Sequence, residues 1–314
     1  MPQMTSGQAR IVDPVLSTHA QGYKQAGLVA QSLFPNGNVG MYGGNVIQFG
    51  KEAFRLYNSR RAPGTTTKRI QFGYQGKPYS IVPGALEAPV PRELMRDASK
   101  VPGIDLGARA VNTVMRALLL EREYNCAQLA RTAGNYDANH KLALAGTSRW
   151  TGAASDPNAD VRAGKEAIRS TIGVYPNTAL IAATAFSALQ ENAKILDRTK
   201  YTGRDSITTE ILARLWNIQN VVVGEATVAD AADTFGDVWG DDVILAYTNV
   251  SADPNVEEPS FGYTYVIEGH PMVEQPYWEQ TSKSWIYGVS YDNAPVLSGI
   301  TAGFLIQSAG APAA

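Results

Sequence analysis

The chain has 314 residues, with 27 basic and 29 acidic side chains and a single cysteine. This length suffices for one large domain or two smaller ones with a substantial core. The near balance of charge argues against a protein that binds nucleic acid alone by neutralising phosphates. Cys126 has no partner for an internal disulfide, and no stretch is typical of a signal peptide or a membrane span.

Charge is nevertheless distributed unevenly along the chain. Residues 51–77 contain seven bases and one acid, whereas residues 225–282 contain twelve acids and no lysine or arginine. Such a run is often only a solvated face. Both interpretations, a solvated face and a pair of complementary contact surfaces, remain open from the sequence.

Apart from a short stretch around residues 25–34, the first forty residues lack a sustained helical or strand period and predict an extended arm. Its apolar residues Leu28, Val29, Leu33 and Phe34 need burial, in this chain or on a neighbour. Two strand-like runs follow, NVIQFGKEAFRLYN and RIQFGYQGKPYSIV, separated by the turn segment SRRAPGTTTK. They predict a long hairpin, and because an isolated two-stranded hairpin is marginal in water, it needs a further surface to lie on.

Residues 83–103 are rich in proline and predict irregular connections around a short helix at 92–99. A long helix is then expected, with Asp105 as its N-cap, running until Gly134. Val111, Val114 and Leu118 form one apolar stripe along it. This helix should be the backbone of the fold, and Cys126 within it is expected to be buried and unreactive.

From about residue 156 the pattern predicts a compact α/β region of alternating short helices and apolar strands. The predicted helices are 158–172, ended by Gly173, then 184–199 and 206–217. The predicted strands are 178–183, 220–226 and 243–248, with a further strand-like run, SWIYGVSY, near the C-terminus.

No motif for catalysis or cofactor binding is found. The chain has no phosphate-binding G-x-x-x-x-G-K-[ST] loop and no G-x-S-x-G nucleophile motif. His19, His140 and His270 belong to no zinc pattern and are interpreted as structural. The acidic set Asp230, Asp233, Asp237, Asp241 and Asp242 offers oxygen ligands for a hard cation, but its spacing matches no calcium loop, and a solvated loop is the favoured interpretation.

Taken in order, these blocks resemble the major capsid proteins of tailed bacteriophages, with the Hong Kong phage type of capsid fold. The stretches that carry the resemblance are GNVIQFGKEAFRLYNSRRAPGTTTKRIQFGY, PGIDLGARAVNTVMRALLLEREYNCAQLA, PNTALIAATAFSALQENAKILDRTKY and DVWGDDVILAYTN. The resemblance extends from about residue 13 to 306, and it is carried by the order of the blocks more than by any single motif.

The resemblance implies an α+β fold in five segments. These are an N-terminal arm (1–40), an extended hairpin loop (41–85), a peripheral domain with a long spine helix (86–154), an axial α/β domain (155–280), and a strand returning to the peripheral domain with the C-terminal tail (281–314). Contacts between subunits are then expected at Phe34, Phe54, Tyr57, Arg60, Arg61, Lys68, Arg69, Phe72 and Tyr74.

The function implied is a non-enzymatic one: self-assembly into pentamers and hexamers of an icosahedral shell around double-stranded DNA, in the virion after assembly in the host cytoplasm. The expected partners are other copies of the chain, a separate scaffolding protein, a portal and, as a further candidate, a decoration protein. DNA would be contacted only non-specifically, with no cofactor, metal or membrane. Two alternatives stay open: an encapsulin-like nanocompartment shell, against which the extended arm argues, and a soluble α/β enzyme whose catalytic group is not recognised.

Overall fold

The structure is a computed structural model that describes residues 12–25, 27–48, 56, 59–61, 67, 69, 75–98, 105–199, 207–249 and 260–313. The helices are α1 (Pro14–Gly22), α2 (Ala30–Leu33), α3 (Arg92–Ala98), α4 (Leu106–Arg131), α5 (Pro157–Ile172), α6 (Ala183–Glu191), α7 (Ala193–Thr199) and α8 (Thr209–Trp216). The strands are β1 (Asn36–Val39), β2 (Gly43–Gln48), β3 (Gln75–Ser80), β4 (Ala85–Pro91), β5 (Lys141–Ala143), β6 (Thr178–Ala182), β7 (Asn220–Gly224), β8 (Thr227–Ala229), β9 (Phe235–Asp237), β10 (Val243–Ala246), β11 (Gly262–Ile267), β12 (Met272–Val273), β13 (Tyr277–Glu279), β14 (Ser284–Ser290), β15 (Asn293–Leu297) and β16 (Gly303–Gln307).

A five-stranded mixed sheet in the order β5-β16-β10-β6-β7 forms the larger core. Every residue of β6 and β10 is buried, which explains their continuous apolar sequence. α5 packs closely on this sheet at Gly164, where an added Cβ would lie 2.8 Å from side-chain carbons of Leu245 and Phe304. The predicted α/β region is therefore confirmed, with Gly173 ending α5 in the left-handed conformation (φ 74°).

The long helix α4 connects two cores. Asp105 caps it as predicted, accepting a hydrogen bond from the Ala108 N–H at 3.1 Å. Its first half buries Val111, Val114 and Leu118 in a smaller core against β4 and β14. Its second half buries Cys126 and neighbouring residues in the larger core. A helix of 26 residues spans about 39 Å at 1.5 Å per residue, so α4 holds the two cores at a fixed spacing.

Two further sheets cover the smaller core. β14 pairs with β4 along its whole length and with β12 and β13 on its other edge. β11 lies between β1 and β15, parallel to the first and antiparallel to the second. No helix within the described ranges is long and apolar enough to cross a membrane.

Over the described residues 12–25 and 27–39, the N-terminal segment is not the extended arm that the sequence predicts. Asp13 accepts hydrogen bonds from the N–H groups of Val15 and Leu16 and so initiates α1, which packs on α4 and β12. Leu33 and Phe34 are fully buried in the larger core of their own chain. The sequence gives little signal for α1 because this helix is short and lacks a clear apolar period. Its Asp-Pro start is the kind of local feature that is typical of a helix N-terminus.

Other observations concern boundaries and strand pairing. The predicted helix 184–199 is two helices, α6 and α7, because the chain turns at Asn192, whose side chain donates to the Trp150 carbonyl oxygen. β11, within the segment 155–280, pairs with β1 and β15, and the division into peripheral and axial domains stays a prediction. β16, in the segment predicted to return to the peripheral domain, lies between β10 and β5, and β5 belongs to the predicted peripheral segment 86–154. The helices predicted at 92–99 and 106–133 agree with α3 and α4 within a few residues.

Candidate functional site

The base of the predicted hairpin is an antiparallel pair, β2 with β3, in register over six residue pairs. Tyr79 of β3 stacks on Tyr265 of β11, with ring centroids 4.5 Å apart and planes inclined at 19°. Gly44 opposite makes room for this ring, since an added Cβ there would lie 2.9 Å from Cε1 of Tyr79. Ile81 and Tyr263 complete the small apolar cluster. The hairpin base is thus fixed to the three-stranded sheet.

One buried carboxylate holds both ends of the hairpin. The Tyr42 hydroxyl donates to Oδ2 of Asp292 at 2.7 Å, and the Gly84 N–H donates to Oδ1 at 3.1 Å. Tyr42 precedes β2 and Gly84 follows β3. The hydrogen bond to Asp292 raises the pKa of Tyr42, so the phenol keeps the proton that it donates. Nε2 of His270 lies 3.8 Å from the same carboxylate and adds an attractive charge when protonated.

Exposed apolar side chains flank this anchored base. Met41, just before β2, is 70% exposed, and Val82, just after β3, is 73% exposed. Leu86 in β4 and Leu94 in α3 are also exposed. Contiguous exposed apolar surface on a soluble protein normally marks a contact site. The region around the hairpin base is therefore the best candidate for an interaction surface near the predicted residues.

The acidic segment does not gather into a metal site. Asp242 pairs with Arg131 at 2.8 Å, and Asp241 accepts from the Thr184 hydroxyl at 2.8 Å. Asp230 accepts from the N–H groups of Ala232 and Thr234 and shapes its own turn. Among the described residues, no group of three or more histidine, cysteine or acidic side chains is placed to hold a metal ion.

The three histidines make structural contacts. His140 is buried and its Nδ1 lies 2.7 Å from Oδ1 of Asp137, whose pKa this histidine helps to lower against the opposing effect of partial burial. Nε2 of His19 lies 2.8 Å from Oδ1 of Asn112. Cys126 is fully buried as predicted, and burial raises the pKa of its thiol to about 12. These groups take part in internal packing and hydrogen bonding.

Comparison with known proteins decides the family. Over 301 residues, 95% of this chain and 96% of the relative, the sequence is 35% identical to the major capsid protein of Burkholderia phage BcepMu. The chain belongs to the family of tailed-phage major capsid proteins. No family model matches the sequence.

Solved structures agree with this assignment. A phage-related protein of Bordetella bronchiseptica RB50 is 59% identical, with a TM-score of 0.85 and coverage of 98% of this chain and 100% of that one. The capsid protein of cyanophage P-SCSP1u shares the fold alone, at 10% identity and a TM-score of 0.55, over 98% of this chain and 92% of that one. The chain is accordingly a capsid shell protein, and its place is the virion.

The predicted contact residues of this capsid protein have mixed outcomes. Phe34 is a correction: it is buried in its own chain, 5.5 Å from Phe261 between ring centroids, and is not available to a neighbour. Arg60, Arg61 and Arg69 are exposed, and Arg61 Nη1 donates to the Thr67 hydroxyl at 3.3 Å. The remaining predicted residues, Phe54, Tyr57, Lys68, Phe72 and Tyr74, lie outside the described part of the chain.

Sequence reasoning missed the residues that anchor the hairpin. Asp292 lies more than 200 positions from both of its partners. Tyr265 is similarly remote from Tyr79. A single sequence contains no signal for such pairings. A lone aspartate after a strand is equally typical of an ordinary turn and of an anchor such as Asp292. The aromatic composition of β3 and β11 indicated only that both strands needed a partner surface.

Proposed function

We propose that this capsid protein assembles through pentamers and hexamers into an icosahedral shell that encloses double-stranded DNA. The supporting observation is a subunit whose hairpin base is rigidly anchored while the apolar side chains beside it, Met41 and Val82, remain exposed. Such apolar side chains are removed from water when another copy of the chain covers them. Head-to-tail contacts that close on themselves produce rings, as pentamers and hexamers require.

The hairpin is proposed to reach a neighbouring subunit. A two-stranded hairpin gains little stability alone, so its outer part gains most by lying on another copy. Its exposed bases Arg60, Arg61 and Arg69 would meet acidic surface there. Complementary charges of this kind contribute orientation and association rate more than affinity. The aromatic positions predicted from the sequence that lie outside the described residues, Phe54 and Tyr57 among them, remain part of this proposal.

Other partners are proposed on the same basis. The formal net charge of −2 suits a wall that contacts packaged DNA only non-specifically, because a strongly basic wall would hold phosphates tightly. A separate scaffolding protein, a portal and a decoration protein are the proposed further partners. The role is proposed to be purely structural, without a catalysed reaction.

The experiment is negative-stain electron microscopy with sedimentation of the purified protein, across salt and protein concentration. We expect shells, tubes or rings, and DNA content would separate a virion shell from a nanocompartment that holds protein cargo. Distinguishing the two kinds of shell matters because residues 14–22 form the helix α1. The extended arm that argued against a nanocompartment is therefore not found there. A species that stays monomeric at all concentrations would contradict the proposal.

A pair of variants tests the hairpin specifically. Arg60→Glu with Arg61→Glu should weaken assembly and reverse its dependence on salt, since screening would then relieve a repulsion. The matched control is Arg109→Glu with Arg116→Glu, two exposed bases on α4. Equal assembly of the hairpin variant and the wild type at every salt concentration would remove the electrostatic part of the proposal.

A further inference from the structure

A groove runs along α5 on the side that faces α7 and α8. Its volume is about 790 Å³. Its lining includes Tyr175 and Leu215, whose side chains are accessible, and Val161 and Trp216, which are only 1% and 4% exposed. Tyr175 is 47% exposed although its ring lies beside α5. The groove therefore presents aromatic and aliphatic surface to whatever enters it.

The rim of the groove carries unpaired positive charge. Arg162 on α5 and Arg198 on α7 are exposed and line the groove. Neither forms a hydrogen bond or an ion pair with any residue that the structure describes. Lys194 nearby is paired with Asp156 at 3.0 Å. Lys165 donates to the carbonyl oxygen of Trp216 and lies over the ring of Tyr175, at 5.4 Å from its centroid. Two guanidinium groups thus remain available to an acidic partner.

The hairpin β8–β9 has the complementary character. Phe235 in β9 is 75% exposed, whereas phenylalanine is among the residues most often buried in folded proteins. Glu225 precedes β8, Asp233 lies in the turn and Asp237 ends β9, and all three are exposed. No lysine or arginine occurs between residues 225 and 282. The hairpin therefore carries an exposed phenylalanine and three exposed carboxylates, with no basic residue in the same stretch of sequence.

The hairpin and the groove are placed for a contact between copies. The hairpin follows the carboxyl end of β7, whereas Trp216 and Asn217 of the groove precede its amino end. Five residues of strand separate them, which is about 17 Å at 3.3 Å per residue. One chain thus exposes the two surfaces at different positions. That is the arrangement of a heterologous, head-to-tail interface, in which each copy uses one surface on either side.

We propose that the β8–β9 hairpin of one subunit docks into the α5–α7–α8 groove of the next subunit in the same ring. Phe235 covers the accessible apolar surface of Leu215 and Tyr175, and the carboxylates of Glu225 and Asp237 approach Arg162 and Arg198. The proposal rests on the proposed function, since it assumes that the copies form rings, and it adds which surfaces meet.

Charge reversal on each side provides the test. The hairpin variant is Glu225→Lys with Asp237→Lys; Asp233 is left unchanged because its left-handed backbone (φ 57°) would strain a lysine. The groove variant is Arg162→Glu with Arg198→Glu. Each variant alone places like charges across every interface, which should raise the protein concentration needed for ring formation about tenfold or more. Phe235→Ala should raise it as well, without changing the salt dependence.

Mixing the two variants is the decisive step. Lysines of one variant then face glutamates of the other, so the mixture should form rings at a protein concentration at which neither variant alone does so. An alternating ring closes with six copies but leaves one like-charged interface with five, so hexamers should recover more fully than pentamers. Carrying all four substitutions in one chain should restore both. Glu121→Lys, at an exposed position on α4, is the control for added charge.

The outcomes separate the two levels of the argument. If the wild type forms no rings or shells, the proposed function fails and this inference with it. If the wild type assembles and the folded variants assemble equally well, or their mixture does not recover, the inference alone is overturned. Loss of assembly or of DNA content with the groove variant only would assign the groove to a different anion, such as nucleic acid, and would also overturn it. Thermal melting of each variant establishes that it is folded.

Discussion

Glu123 on α4 joins three separate parts of the chain through one buried side chain. Its carboxylate oxygens accept hydrogen bonds from the N–H groups of Val29 and Ala30 at 2.9 Å and from Nε1 of Trp239 at 2.8 Å. Glu123 is 3% exposed, and Ala30 and Trp239 are almost fully buried. Removing the carboxylate would leave two buried donors and one partly buried donor without this acceptor.

The size of the effect follows from these donors. A buried donor left unsatisfied costs about 1–3 kcal/mol, and less where water enters. We therefore expect Glu123→Ala to reduce the free energy of unfolding by about 3 kcal/mol or more. At about 2–4 °C per kcal/mol, the melting temperature should fall by about 6–12 °C. Glu123→Gln keeps one acceptor oxygen, so its effect should be intermediate.

The assay is thermal unfolding of the unassembled subunit, followed by circular dichroism. Glu121→Ala, two positions earlier on the same helix and exposed, is the matched control and should change stability by at most about 0.5 kcal/mol. A melting temperature of Glu123→Ala within about 2 °C of the control would refute the view that this carboxylate holds the N-terminal segment and Trp239 to α4.

Three further predictions concern the helices. Asp105→Ala should cost about 1 kcal/mol of stability, measured by urea unfolding, because α4 loses its N-cap; no change would mean that the end of α4 is not held by that side chain. Gly164→Val should cost about 1–3 kcal/mol or more, since its Cβ would lie 2.8 Å from Leu245 and Phe304; an unchanged melting temperature would contradict the packing. Cys126, whose pKa burial raises to about 12, should not react with a thiol reagent at pH 8 until the chain unfolds; rapid reaction of the folded subunit would show that α4 is not packed as described.

Elements with a strong local signal could be predicted from the sequence. α4 combines an Asp N-cap with a long apolar stripe, and α5 ends at a glycine in the left-handed conformation. β6 and β10 are short apolar runs between turns, as buried strands are. Elements defined by remote partners could not be placed. Whether β16 joined one core or the other depended on pairing with β10, which no local pattern encodes.

The candidate contact surfaces also had features that the sequence could predict and features that it could not. The aromatic and basic composition of the hairpin indicated a segment that needs a partner. The anchor at Asp292 and the exposed Met41 and Val82 became evident only from the tertiary structure. Phe34 was wrongly assigned to a subunit contact, because an apolar residue in an irregular segment looks the same whether its own core or a neighbour buries it.

The measurement that tests the central claim most directly is an electron cryomicroscopy reconstruction of particles assembled from the purified chain. We predict a closed shell of rings of five and six copies, with each β2–β3 hairpin extending from its anchor at Asp292 over an adjacent subunit. A reconstruction in which the hairpin folds back on its own chain, or particles without rings, would contradict the account.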